Sequence, residues 1–202
     1  MENDGAVCLL CGGKSKRFGS DKKWAVFQGK SLLFWMLEKT YPLTSKERIF
    51  CLTSEPVANL PVPVLIDAEP YPGPLQAFFS CARILPFSHY LLLPVDMPLL
   101  PGSFLSFLWK HIPTSSAVVP RWRGKIEPLI ALYPRELTRA FPTREKSFQE
   151  WILLLERHNK VQWIEEREIA PFGEPEEIFW NINRAKDLEQ AEKMWKEHQL
   201  KV

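Results

Sequence analysis

Apolar residues in this chain fall into short runs broken by polar, glycine and proline positions, and strand-like runs alternate with helix-like ones. Residues 7–10 are continuously apolar and end at Gly12-Gly13. A run with no polar face predicts a strand covered on both sides. Residues 31–40 are dense in helix formers and stop before Pro42, which predicts a helix. Short strands are expected at 48–53 and 62–66, a helix at 75–85 after the turn residues Pro72-Gly73-Pro74, and the most buried strand at 90–93. A helix over 104–111, strands at 117–119 and 129–133, a helix over 147–157, a strand at 161–164 and a last helix over 185–199 complete the series. This alternation predicts an α/β fold, a doubly wound, mostly parallel sheet with helices on both faces in three layers. No internal repeat or Gly/Ser linker divides the chain, so residues 1–202 read as a single domain.

Composition narrows the functional classes. The 26 Lys+Arg stand against 24 Asp+Glu, a formal net charge of +2, which gives no overall drive toward nucleic acid or a membrane surface. The apolar runs are far shorter than the roughly 20 residues of a membrane span. Met1-Glu2-Asn3-Asp4 lacks the positive and apolar regions of a secretory signal, so a cytoplasmic protein is expected. Cys8 and Cys11 form a Cys-x-x-Cys, but Cys51 and Cys81 stand alone and supply no second pair for zinc. Strand residues three apart face opposite sides of a sheet, so core cysteines are expected rather than a redox or metal site. Most of the eight tryptophans are expected to pack in the core or dock helices.

Candidate chemistry starts where the first strand ends. The segment from Gly12 to Lys23 holds three glycines and five basic residues in twelve positions. Glycines let backbone N–H groups approach an anion and the cations neutralise its charge, so the segment reads as a polyphosphate cradle. Its spacing fits neither a Walker A loop nor a dinucleotide Gly-x-Gly-x-x-Gly, and a plain basic surface loop is the other reading. Asp96 stands at the carboxyl end of the most buried strand, where open α/β sheets place ligands, with Pro98 and Pro101 just beyond. One such carboxylate suits Mg2+, which takes few protein ligands and keeps phosphate oxygens and water. An Asp capping the next helix is the alternative. Asn181 and Asn183 lie two apart, so in an extended segment both amides point the same way, toward a metal or a second substrate. The four histidines show no metal-ligand spacing.

Residues 10–22, Leu-Cys-Gly-Gly-Lys-Ser-Lys-Arg-Phe-Gly-Ser-Asp-Lys, resemble the Leu-Ala-Gly-Gly-x-Ser-x-Arg-hydrophobic-Gly-x-Asp-Lys opening of nucleotidyltransferases. Three later segments are similar to those of the molybdenum cofactor guanylyltransferases. Tyr71-Pro72-Gly73-Pro74-Leu75 resembles their Gly-Pro-Leu, Val95-Asp96-Met97-Pro98 their Cys-Asp-x-Pro, and Asn181-Ile182-Asn183-Arg184-Ala185-Lys186-Asp187-Leu188 their Asn-hydrophobic-Asn-Thr-Pro-x-Asp-Leu. The chain departs from that family at Cys11 (usually Ala), Ala77 (usually Gly), Val95 (usually Cys) and Thr53-Ser54, where relatives often carry an Asn that touches the nucleotide. These departures leave guanine against cytosine open.

The resemblance implies transfer of GMP from GTP to the terminal phosphate of molybdopterin, with pyrophosphate released and Mg2+ as cofactor. It implies nucleotide contacts from Leu10, Cys11, Gly12, Gly13, Lys22, Thr53, Asp67, Gly73, Pro74 and Leu75. Catalytic roles fall to Arg17, Lys22 and Asp96, the metal to Asp96, and acceptor contacts to Asn181 and Asn183. Glu127-Pro128-Leu129 is similar to the family's segment near the pterin pocket, and Arg121, Arg123 and Lys125 before it are available to an anionic cofactor or to solvent. Expected partners are GTP and molybdopterin, with molybdoenzyme apoproteins or other cofactor-assembly proteins as further candidates and neither nucleic acid nor membrane. Rival readings are cytidylyl transfer to the same cofactor, nucleotidyl transfer to a sugar phosphate, and a nucleotide-binding accessory protein without chemistry.

Overall fold

Residues 4–12, 21–66, 73–112, 114–142 and 147–199 are described by the computed structural model. Their strands are β1 (Gly5–Leu10), β2 (Val26–Phe27), β3 (Lys30–Ser31), β4 (Ile49–Thr53), β5 (Val64–Ile66), β6 (His89–Pro94), β7 (Ala117–Trp122), β8 (Lys125–Ile126), β9 (Ala131–Pro134) and β10 (Val161–Glu165). Their helices are α1 (Leu32–Thr40), α2 (Pro74–Ile84), α3 (Gly102–Lys110), α4 (Arg135–Ala140), α5 (Phe148–Arg157), α6 (Glu166–Ile169), α7 (Pro175–Ile178) and α8 (Ala185–Gln199).

The main sheet runs β10-β7-β9-β6-β1-β4-β5, with β8 paired to β7, while β2 and β3 form a separate hairpin. β1 is parallel to β4 and β6, β4 to β5, and β7 to β10. The expected mostly parallel sheet therefore holds, with β9 inserted antiparallel to β6 and β7 and β8 antiparallel to β7. β1 is buried along its whole length, its side chains shared between two cores. Val7 and Leu9 join Leu33 and Met36 of α1 and Phe104 and Leu108 of α3 on one face. Ala6, Cys8 and Leu10 join Phe78 of α2, Leu137 of α4 and Trp151 of α5 on the other. Three layers result. A smaller cluster of Phe27, Leu32, Leu99, Ile182 and Ala191 docks α8 and the hairpin, with Trp35 and Trp195 edge to face at 5.3 Å.

The cysteines sort as strand geometry requires. Cys8 touches Cys81, Sγ to Sγ 3.2 Å, in one core, and Cys11 packs in the other. All four are free and buried. Among the described residues no helix is long and apolar enough to cross a membrane.

Several boundaries move for identifiable reasons. The strand expected at 62–66 starts at Val64, because Pro63 accepts from Cys51 N–H at 3.0 Å but has no N–H to give. The strand expected at 129–133 starts at Ala131, after Ile130 N–H closes a turn on the Glu127 carbonyl at 3.1 Å. The two hairpins β2–β3 and β7–β8, and helices α4, α6 and α7, were not expected from the sequence. Each hairpin turns on two residues with positive φ, Gln28 (48°) and Gly29 (80°) in one, Arg123 (44°) and Gly124 (74°) in the other, the backbone of a type I′ turn.

Candidate active site

Because β1, β4 and β6 are adjacent and parallel, their carboxyl ends, Leu10, Thr53 and Pro94, open on one edge of the sheet. Cys11 N–H donates to the Leu52 carbonyl at 2.9 Å and extends the pairing, which leaves Gly12 as the first residue beyond it. Asp96 follows two residues after β6. Lys22 Nζ donates to Asp96 Oδ2 at 2.5 Å, to the Ile182 carbonyl, and to Asn183 Oδ1 at 3.4 Å. Both partners of the Lys22–Asp96 pair are only 17% exposed, so their charges are largely withdrawn from water. Ile182 N–H in turn donates to the Asp96 carbonyl at 2.9 Å. Three predicted positions, Lys22, Asp96 and Asn183, thus converge.

Two oxygens at this locus lack donors. Asp96 Oδ1 and Asn181 Oδ1 are buried without a hydrogen-bond partner among the described residues. A buried polar atom left unpaired costs about 1–3 kcal/mol, and hard acceptor oxygens are what a magnesium ion takes. The capping alternative for Asp96 fails, since α3 is capped by Pro101 with no side-chain bond. No group of three or more His, Cys, Asp or Glu side chains suited to a metal occurs among the described residues, so a metal here would rest on few protein ligands.

The α2 N-terminus presents main-chain donors. Gly73 precedes it at φ 125° and ψ 172°, Pro74 takes the first helical position and Leu75 is buried. Among the described residues no side chain caps the helix, and its first turn carries no acid, which suits its N–H groups to an anion. Thr53 is buried with its hydroxyl committed to its own loop, donating to the Glu55 carbonyl at 3.0 Å and accepting from Glu55 N–H at 3.3 Å. Gly13, Arg17 and Asp67 lie outside the described residues.

Asn181 and Asn183 line a cavity of about 400 Å³ together with Trp122, Glu127, Phe179 and Trp180. Trp122 and Phe179 lie near parallel, 6.1 Å apart at 24°. The Trp122 indole donates to Glu127 Oε1 at 3.0 Å. Burial pushes the Glu127 carboxyl above the usual carboxylate range, against the Trp122 bond and the Lys125 charge, which favour ionisation. Of the three neighbouring cations, Arg121 pairs with Glu165 at 2.5 Å and Arg123 with Glu166 at 3.3 Å. Lys125 lines the cavity and sits 4.2 Å over the Trp122 ring. Asp187 Oδ2 accepts from Asn183 N–H at 2.9 Å and Arg184 N–H at 2.8 Å, which fixes the asparagine segment to the start of α8. The Ile182 main chain and the aromatic walls Phe179 and Trp180 were missed by sequence reasoning, because neither backbone atoms nor scattered aromatics carry a motif.

A family profile described as the MobA-like NTP transferase domain matches residues 7–161. The chain is 31% identical over 187 residues to a probable molybdenum cofactor guanylyltransferase of Thermococcus kodakarensis, covering 89% of this chain and 90% of that one. It is 28% identical over 197 residues to the molybdenum cofactor guanylyltransferase of Sinorhizobium fredii, covering 91% and 88%. Among solved structures, molybdopterin-guanine dinucleotide biosynthesis protein A from Archaeoglobus fulgidus shares the fold at a TM-score of 0.72 and 22% identity, covering 95% of this chain and 99% of that one. A nucleotidyl transfer enzyme from Methanothermobacter thermautotroptrophicus does so at 0.77 and 14%, covering 96% and 98%. The glycine-lysine segment after β1, the Lys22–Asp96 pair at the sheet edge and a profile match over most of the chain agree, and the chain belongs to the MobA-like NTP transferases, within the nucleotidyltransferase superfamily.

Proposed function

We propose that the chain transfers GMP from GTP to the terminal phosphate of molybdopterin, forming the guanine dinucleotide cofactor and releasing pyrophosphate. The observation that carries this reading is the convergence of Lys22, Asp96 and Asn183 beside an aromatic-walled cavity, with unpaired oxygens on Asp96 and Asn181. Relatives named as molybdenum cofactor guanylyltransferases, matched over nearly their whole length, supply the donor and acceptor classes.

An acceptor phosphate oxygen bonds to the α-phosphorus of GTP while the bond to the β-bridging oxygen breaks, and that electron pair leaves with pyrophosphate. A phosphate monoester with a second pKa of about 6 is already largely dianionic at neutral pH, so no general base is needed. Orientation and charge neutralisation are what the protein supplies. The main chain at Leu10, Cys11, Gly12 and Gly13, and the α2 terminus at Gly73, Pro74 and Leu75, would hold the nucleotide. Thr53 and Asp67 would flank it. Arg17 and Lys22 would neutralise the β and γ groups, and Asn181, Asn183 and the cavity would take the acceptor. Asp96 Oδ1 and Asn181 Oδ1 fit a magnesium ion, which when bound would neutralise phosphate oxygens. A single domain and a cytoplasmic site of action belong to the same proposal, and four free cysteines are in keeping with a reducing compartment.

The test is nucleotide-dependent melting combined with pyrophosphate release. GTP with magnesium should raise the melting temperature more than CTP, ATP or UTP, since ligand at 100 times its Kd adds about 2.7 kcal/mol. Pyrophosphate should appear only when molybdopterin is present. A larger shift with CTP would transfer the assignment to a cytidylyltransferase, and GTP binding without turnover would make the chain an accessory binder.

A further inference from the structure

Lys39 has no part in the phosphate chemistry above, yet α1 packs it against the segment that carries Asp96. Trp35 and Lys39 lie four residues apart and share one side of α1. The Trp35 indole N–H donates to the Pro98 carbonyl at 2.8 Å. Lys39 Nζ donates to the same carbonyl and to that of Leu100 at 2.7 Å, and lies 5.3 Å from the Trp35 ring centre. Both lone pairs of the Pro98 oxygen are thereby used. The turn is closed on itself by Leu100 N–H to the Met97 carbonyl at 3.2 Å, and φ is fixed at Pro98 and Pro101. On the other side, Ile182 N–H holds the Asp96 carbonyl at 2.9 Å. The Asp96 carbonyl and the turn that follows it are thus held by separate elements.

Burial alone pushes Lys39 down to about 7, with no carboxylate contributing to the shift. An amine buried against main-chain carbonyls is an expensive way to stabilise a turn. Its cost is accounted for if the turn must hold one geometry.

We propose that Lys39 is a positioning residue, whose Nζ, with the Trp35 indole, fixes the turn at 97–100 and through it the direction of the Asp96 carboxylate. The proposal rests on the reading of Asp96 as the carboxylate at which metal and phosphate meet. Displacing a reacting group by about 1 Å can cost on the order of 10²-fold in rate, so a shift transmitted over two residues is enough to matter.

Lys39→Met keeps the apolar stem and removes every donor. Its kcat should fall about tenfold to a hundredfold with the KM for GTP within about twofold of wild type. Calorimetry with a non-hydrolysable GTP analogue should show roughly tenfold weaker Mn2+ binding, and the Leu100 and Ile182 amides should exchange faster. Lys39→Arg should restore most of kcat and Mn2+ affinity. Trp35→Phe, which removes one bond to Pro98, should move the same quantities less and keeps the idea testable if Lys39→Met does not fold. A variant with a lower melting temperature but wild-type kcat, Mn2+ affinity and exchange overturns the proposal, because that is the signature of a purely structural contact. Asp96→Asn, made in parallel, separates the two readings. Activity retained there overturns the role of Asp96, and activity lost there with Lys39→Met unimpaired overturns that of Lys39 alone.

Discussion

Lys22 donates at once to a carboxylate, a main-chain carbonyl and an amide oxygen, which turns a flexible side chain into a fixed positive charge. On the proposed reading this charge would act where negative charge accumulates on departing pyrophosphate, and losing one such stabilising group costs on the order of 10²-fold in turnover. Lys22→Ala should show that fall in pyrophosphate release at saturating GTP, with GTP affinity reduced less. The substitution also leaves the Asp96 carboxylate, 17% exposed, without its cation, so the variant's melting temperature should respond to magnesium more than the wild type's. Near wild-type turnover would remove Lys22 from the reaction. Lys22 and Asp96 stood out in the sequence as a cation and a carboxylate in motif segments, and the structure brings the two together. The Ile182 carbonyl that completes the Lys22 site did not, since every residue has one. At Thr53, a hydroxyl at a strand end, the structure adds what the sequence could not show, its engagement by the next loop.

At the scale of elements, α2 depends on the residue before it. Gly73 holds φ 125° and ψ 172°, a backbone region nearly closed to side-chain-bearing residues. Among the described residues a Cβ there would meet nothing within 4 Å, so Gly73→Ala should cost chiefly backbone strain, about 1–3 kcal/mol. At roughly 2–4 °C per kcal/mol for a chain of this size, the melting temperature should drop measurably. Relief of that strain would turn the first free N–H groups of α2 away from the nucleotide, so the GTP-dependent stabilisation should shrink as well. An unchanged GTP shift would show that α2 does not hold phosphate. Elements with a continuous apolar run or a dense stretch of helix formers were readable in advance, above all β1, β6 and α1. The hairpins were not, because β2, β3 and β8 are two residues long and show no alternation, and the tips are Gln28-Gly29 and Arg123-Gly124 rather than Asn-Gly or Asp-Gly. The direction of β9 was equally hidden. Ala131, Leu132 and Tyr133 are buried on both faces and would read the same in a parallel strand.

Buried titratable groups decide how the whole molecule answers to pH. Lys39 falls to about 7 in the fold against roughly 10.4 in an unfolded chain. Between those values the unfolded chain holds a proton that the folded one has released, so stability rises with pH and the gain is absent below about 7. Burial lowers His89 below 6.5, the nearby Asp4 working against it, so stability also falls as pH drops through that value. Burial raises the Glu127 carboxyl, and this opposes His89 on the acid side, because there the fold holds the extra proton. Thiols set the alkaline limit. Burial raises Cys8, and a hydrogen bond to Cys51 with burial raises Cys11, so above roughly 8.5 the unfolded chain ionises first and stability falls. Stability should therefore peak between about pH 8 and 9, with Lys39 contributing roughly 1–2 kcal/mol of the rise from pH 7 to 8.5. Urea titrations from pH 6 to 10 on wild type and Lys39→Met check this. The variant should lose the rise and keep the alkaline fall. A wild-type curve flat from pH 7 to 8.5 would mean that the Pro98 and Leu100 carbonyls and the Trp35 ring hold Lys39 protonated through that range.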